Sequence, residues 1–197
     1  MFDKRKSESL EIPTVSQLEA ELKRDRYRHQ YGSVLRSTIF TLITVAAVAV
    51  LVATLWMPVL QIYGSSMSPT LVNGDIVVSV KENDFQPGDV IAFYYNNKIL
   101  VKRVIAGPGD WVNIDGDGTV YVNDKKLDEP YLTDKALGDC NIELPYQVTE
   151  NRLFVMGDHR SVSVDSRSTT VGCVAEEQVV GKLIFCIWPF NDFGKIR

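Results

Sequence analysis

DVIAFYYNNKILVKRVIA, residues 89–106, is the stretch on which the fold turns. Two runs rich in β-branched and aromatic side chains flank Asn96-Asn97, a turn signal, so the segment reads as strand, turn, strand. The same grammar extends in both directions. DIVVSV (Asp75–Val80) precedes it across a QPGD turn. GPGD, WVNI, DGDG, TVYVN and NDKK follow as turn, strand, turn, strand, turn, and RLFVMGD and VVGKLIFCIW read as later strands. A looser stretch from about Asp128 to Asn151 reads as a surface excursion. Helical spacing is absent after the first 60 residues or so, which predicts a mainly β fold of antiparallel sheets around one core.

Upstream the pattern changes. No charged side chain occurs between Ser37 and Gly74, and within that stretch Ile39–Leu60 is apolar enough to cross a bilayer, which takes about 20 residues at ~1.5 Å each. Every backbone amide there can be satisfied inside a helix. Trp56 suits the interface, and Pro58 disturbs the helix near its end. The competing readings are a buried core helix and a cleaved leader; the run lacks the polar face of the first, and it starts too late and runs too long for the second. Lys23, Arg24, Arg26, Arg28 and Arg36 precede the run with Asp25 close by, and the first charge after it is Asp75. The positive-inside rule then predicts a cytoplasmic segment 1–36, a transmembrane helix 37–59 and an extracytoplasmic β domain 60–197. SQLEAELKRDRYRHQ, before the span, has the alternating charge of a solvated helix.

The net charge of −4 over 197 residues, with no basic stripe beyond the span, argues against nucleic acid as a partner. Cys140, Cys173 and Cys186 are odd in number. Cys173 and Cys186 sit in apolar contexts that suit buried thiols, with a bridge between them left open. No CxxC or HExxH motif points to a metal, and the chemistry below needs no cofactor.

Just past the span, YGSSMSPTL (Tyr63–Leu71) sets Ser65 and Ser66 beside a Pro-Thr turn. A serine hydroxyl is a weak nucleophile until a base takes its proton. His29 precedes the span, so His159 is the histidine that a triad would use, and that option stays open. A lysine serves if its ordinary pKa of ~10.4 falls to roughly 7; at ~1.4 kcal/mol per unit, burial must supply about 4 kcal/mol. Lys102 has aliphatic neighbours on both sides and shares strand parity with Leu100 and Val104, whereas Lys81, Lys98, Lys125 and Lys126 adjoin turns or charges. A snorkelling Lys102 on an edge strand is the alternative. GDHRSVSVDSR (Gly157–Arg167) gathers two carboxylates, two guanidiniums and three hydroxyls, poor core material and a plausible hydrogen-bonding shell. If extended, Ser161, Ser163 and Asp165 share a face.

Taken in order, GSSMSPTL, VKRVIAGPGD and GDHRSVSVDSR resemble the three boxes of the bacterial type I signal (leader) peptidases, and with the span and the closing LIFCIWPF the likeness covers about residues 37–190. The resemblance implies that Ser66 is the nucleophile and Lys102 the general base, with Ser163 orienting Lys102. It implies an Arg103–Asp158 pair, an Asp165–Arg167 pair and an oxyanion donor at the Ser66 N–H. Gly64 stands where some members carry an oxyanion serine, so backbone would have to replace that donor; losing one donor costs about 3–4 kcal/mol elsewhere. His159 stands where the family usually has Asn.

The implied substrates are secretory preproteins in the bilayer, cut after small-x-small sites such as Ala-x-Ala. The chain to be cut would add as a strand beside Gln61–Gly64 and Lys98–Val101, over shallow pockets lined by Ile62, Tyr63, Met67, Leu71, Leu100 and Val101. The alternatives are a relative restricted to pilin-type clients, and a non-catalytic membrane-anchored assembly module of the same fold.

Overall fold

The computed structural model describes residues 14–196, the side chains of 28–30 excepted. Positions 1–13 of the expected cytoplasmic segment, and the side chains of Arg28 and His29, therefore lie outside the described residues. The chain divides into two compact units between Leu51 and Val52.

Among the described residues one α-helix, α1, runs from Val15 to Trp56. The charged SQLEAELKRDRYRHQ and the apolar run are one helix rather than two elements. Thr38, Thr41 and Thr44 return their hydroxyls to the carbonyls of Val34, Ser37 and Phe40, each at 2.9 Å, which hides polar O–H groups that hydrocarbon would leave unpaired. By length and composition α1 can cross a membrane, and 0% of its apolar window is buried, unlike a core helix. It ends three residues short of the expected boundary at 59. Pro58 lacks an N–H and restricts the residue before it, and the chain turns extended at once.

Strands β1 (Val59–Gln61), β2 (Ile76–Val80), β3 (Val90–Tyr95), β4 (Lys98–Ala106), β9 (Arg152–Met156), β10 (Val174–Ala175), β11 (Val179–Trp188) and β12 (Gly194–Lys195) form an eight-stranded sheet. Its order is β1-β2-β11-β3-β4-β9-β10, with β12 on β11. Strands β5 (Trp111–Ile114), β6 (Val120–Val122), β7 (Lys125–Lys126) and β8 (Tyr146–Gln147) form a second sheet in the order β7-β6-β5-β8. Every pairing is antiparallel. Tyr95 pairs with Lys98 across Asn96-Asn97, and Asn96 takes the positive φ of +44° that a two-residue hairpin turn asks for.

Alternation along β3 divides the interior. Val90 and Ala92 pack with Ile62, Met67, Leu71 and Leu183, while Ile91 and Phe93 pack with Val104, Leu153 and Val155. A third cluster, around Ile105, Val112, Phe154 and Met156, joins the two sheets. Cys173 and Cys186 are buried free thiols in different clusters, so no bridge joins them.

Two expectations need correction. The stretch from Asp128 to Asn151 is not simply a surface excursion: Leu137, Ile142, Leu144 and Tyr146 pack against the third cluster, Tyr146–Gln147 pairs with β5, and Glu129 is buried. Its apolar residues are too sparse to show a period, yet these four find a place against the core. Lys125–Lys126, read as turn, forms the edge strand β7, where an exposed lysine pair suits an unpaired rim.

Candidate active site

The loop between β1 and β2 is held from below. Met67 and Leu71 are sunk in the core, and the Leu71 N–H donates to the Met67 carbonyl at 2.9 Å. Gly64 adopts φ +92°, a conformation costly for a residue with a Cβ, and its N–H donates to Asn73 Oδ1 at 3.0 Å. Ser66 is left half-buried at the loop's shoulder. Its carbonyl accepts the His159 N–H at 3.0 Å. Gly157 packs so closely beneath it that a Cβ there would lie 2.5 Å from the Ser66 carbonyl oxygen and 2.3 Å from Ser163 Oγ.

Lys102 approaches from β4, in register with the fully buried Ile91. The residue is 3% exposed, and its Nζ stands 2.7 Å from Ser66 Oγ. Burial strips water from the ammonium and lowers the pKa from 10.5 to about 8; Asp165 and Asp158 pull it up and Arg167 pushes it down, all more weakly than burial acts. Among the described residues no carboxylate touches the amine. Among the described lysines, Lys81, Lys98, Lys125 and Lys126 are exposed.

Around this pair lie buried arginine–carboxylate bridges. Arg103 grips Asp158 in two-pronged fashion, Nε to Oδ1 at 2.9 Å and Nη2 to Oδ2 at 2.6 Å, and the Thr70 hydroxyl of the serine loop donates to Asp158 Oδ2. Arg167 grips Asp165 through Nε and Nη2, both at 2.8 Å, and Asp165 Oδ2 also accepts the Gly157 N–H at 2.9 Å.

Three of the expected site residues make other contacts in this geometry. Ser163 is buried, but its Oγ makes no hydrogen bond to Lys102, because the segment folds in turns rather than extending and the hydroxyl packs against Gly157. Leu71 is 1% exposed within the core and does not line the cleft. Gly64 cannot serve as an oxyanion donor while Asn73 holds its N–H; no protein acceptor takes the Ser66 N–H among the described residues. A histidine triad also lacks its contact, since the His159 ring reaches the Ser65 carbonyl, at 3.3 Å, rather than the Ser66 hydroxyl.

A cleft of about 510 Å³ opens beside Ser66 between Leu60–Gly64 and Asn97–Val101. Ile62, Tyr63, Met67, Leu100 and Val101 line it, and so do Asn97 and Ile99, which the pattern of the sequence did not single out. Asn73, Glu129 and Tyr131 were likewise not legible: single polar residues in loops carry no period, and only contact reveals their use. Among the described residues no group of His, Cys, Asp and Glu has the geometry to hold a metal ion.

A helix able to cross a membrane, an antiparallel β unit and a dry lysine against a serine together define the class. The profile of the signal peptidase family, peptidase S26, matches residues 35–188. Signal peptidase IB of Staphylococcus aureus strain COL is 40% identical over 152 residues, covering 67% of this chain and 78% of that protein. Signal peptidase I of Bacillus licheniformis is 36% identical over 148 residues, covering 67% and 77%. A crystal structure of a signal peptidase I from Enterococcus faecalis V583 matches with 32% identity and a TM-score of 0.42, over 51% of this chain and 97% of that one. The chain belongs to the signal peptidase family S26 and is a peptidase, and among the described residues it carries one helix long and apolar enough to cross a membrane.

Proposed function

We propose that this protein is a serine endopeptidase that removes signal peptides from secreted preproteins, with Ser66 as nucleophile and Lys102 as general base. The observation that carries the reading is the 2.7 Å contact between the Ser66 hydroxyl and an amine almost wholly withdrawn from water. In the neutral amine the contact runs from Ser66 O–H to the Nζ lone pair, which is the hydrogen bond a general base needs. Lys102 takes the proton as Oγ attacks the scissile carbonyl, then returns it to the leaving amine. A covalent acyl-enzyme remains, and Lys102 activates the water that releases it. The Ser66 N–H is the proposed oxyanion donor. Arg103–Asp158 and Asp165–Arg167 hold the surrounding backbone, and Ser163 fills the space beneath it.

The cleft supports the choice of substrate. An extended chain lying between Gln61–Gly64 and Lys98–Val101 would meet a surface walled by Ile62, Met67, Leu100 and Val101, an apolar lining that suits the small side chains of an Ala-x-Ala site. Charge flanking α1 favours a cytoplasmic N-terminal segment to about residue 36, one span ending near Trp56, and a catalytic unit from about residue 60 on the outer side of a bacterial cell membrane. The client's own apolar segment would lie in the same bilayer.

Cleavage of a reporter preprotein in detergent tests this. Wild type and His159→Ala are expected to cut, and Ser66→Ala and Lys102→Ala to be inactive. Survival of Lys102→Ala with loss in His159→Ala would overturn the assignment of the base.

A further inference from the structure

Three arginines lie beneath the site, and each takes a partner from residues 129–137, a segment outside the three motifs GSSMSPTL, VKRVIAGPGD and GDHRSVSVDSR. Arg160 forms an ion pair with Glu129, the two side chains 1% and 0% exposed. Arg103 has the Tyr131 ring over its guanidinium, Cζ lying 3.9 Å from the ring centroid. Arg167 donates from Nη1 to the Leu137 carbonyl at 2.6 Å. Tyr131 and Glu129 are themselves joined, phenol to Oε1 at 3.1 Å.

Each contact leads back to the reacting pair. Arg160 Nε donates to the Gly157 carbonyl at 3.1 Å, and Gly157 sits directly under the Ser66 carbonyl, which the His159 N–H holds. Arg103 is the chain neighbour of Lys102 and grips Asp158, to which Thr70 of the serine loop also bonds. An ion pair taken out of water adds little to stability compared with apolar residues of the same volume. What it supplies is a fixed direction, here at a peptide in contact with the nucleophile.

We infer that Glu129 and Tyr131 are positioning residues for Ser66 and Lys102, acting through Arg160 and Arg103. The inference rests on the proposed roles of that pair. With the ring gone, Arg103 holds Asp158 less firmly and the Asp158 charge acts more strongly on the amine. Asp158 raises the Lys102 pKa, as Asp165 does, against Arg167. The acidic limb of kcat/KM, which follows loss of the Lys102 proton, therefore moves to higher pH.

The test is preprotein cleavage by the full-length chain in detergent, over a pH series, with Ser66→Ala in parallel and thermal melting as a check on folding. Tyr131→Leu and Glu129→Gln are expected to lower kcat by about 10- to 100-fold with KM little changed, since small misplacements of reacting groups cost that much. Tyr131→Leu also shifts the acidic limb upward. Tyr131→Phe, which keeps the ring over Arg103, retains the wild-type limb. Should Glu129→Gln fail to fold, Glu129→Met with Arg160→Met removes both charges at similar volume and is expected to fold with kcat still reduced. Wild-type kcat and limb in the folded variants, or a rise in KM alone, overturns the inference while loss of activity in Ser66→Ala leaves the proposed function standing. Activity in Ser66→Ala overturns both.

Discussion

Lys102 and Lys182 stand in one row of the large sheet, paired with Ile91 from either side, and their charges meet opposite treatment. Lys182 keeps 27% of its side chain in solvent and reaches Asp89 at 2.9 Å and Glu82 at 3.8 Å. Its hydrogen bond to Asp89 is the main cause that raises its pKa. Lys102 is 3% exposed and, among the described residues, has no carboxylate in contact; it has a serine hydroxyl, and burial drives its pKa down to about 8. One row of one sheet thus holds a lysine whose charged form is favoured and another whose charged form is disfavoured. Strand position does not decide which. The loop folded over the row does: Ser66 and its supporting shell cover Lys102, while the turn before β3 offers Lys182 an acid and leaves it open.

The comparison breaks most plainly in activity. Lys102→Ala is expected to lower kcat/KM by at least about a thousandfold and Lys182→Ala to leave it within about threefold, the difference between losing a reacting group and losing a surface charge. In wild type, kcat/KM should rise with pH through about 8, where Lys102 loses its proton, because the neutral amine is the active form. An acidic limb displaced up toward 10.5 would count against a dry lysine.

Next in size is the neighbouring ion pair. Asp158→Ala leaves Arg103 charged and buried, and chemical denaturation should show a loss of about 3–5 kcal/mol. Lys182→Met, which breaks a half-exposed pair, should cost no more than about 1 kcal/mol.

Lys102 itself gives the third comparison. Its folded pKa of about 8 lies below the model-peptide value of 10.5, so the unfolded chain binds more protons between those limits, and stability rises with pH across that window. Lys102→Met removes the cost of burying a charge and should stabilise the protein by about 3 kcal/mol at pH 7, with the gain fading as pH approaches 10.5. Urea titrations at pH 7 and 10 measure it. A Lys102→Met protein no more stable than wild type at pH 7 would mean that the amine is hydrated.

The smallest effect is expected at Asn73. Asn73→Ala frees the Gly64 N–H and loosens the approach to Ser66, and a hydrogen bond of about 1 kcal/mol corresponds to a fall in kcat of roughly fivefold. A rise in activity instead would indicate that the freed Gly64 N–H can join the oxyanion site.

Much of this architecture was legible before folding. Lys98–Ala106, Trp111–Ile114 and Val179–Trp188 are strands with the limits their alternation implies. The strands that escaped notice, Val59–Gln61, Tyr146–Gln147, Val174–Ala175 and Gly194–Lys195, are two or three residues long, too short to carry a period of two. Leu71 was misread for a related reason: an apolar residue near a nucleophile looks the same in sequence whether it faces the cleft or the core.

Sequence alone determined an uncharged run of spanning length, an antiparallel β unit after it, and a serine and a lysine in aliphatic surroundings; these follow from composition and from periods of a few residues. Tertiary structure alone decided that Lys102 rather than Lys182 would be dry, that the Ser163 hydroxyl would pack against Gly157 without a hydrogen bond to Lys102, and that Glu129 and Tyr131 would clasp arginines from distant segments. Burial and charge pairing are properties of contacts between positions such as 66 and 102, or 129 and 160, which only the folded chain brings within reach of one another.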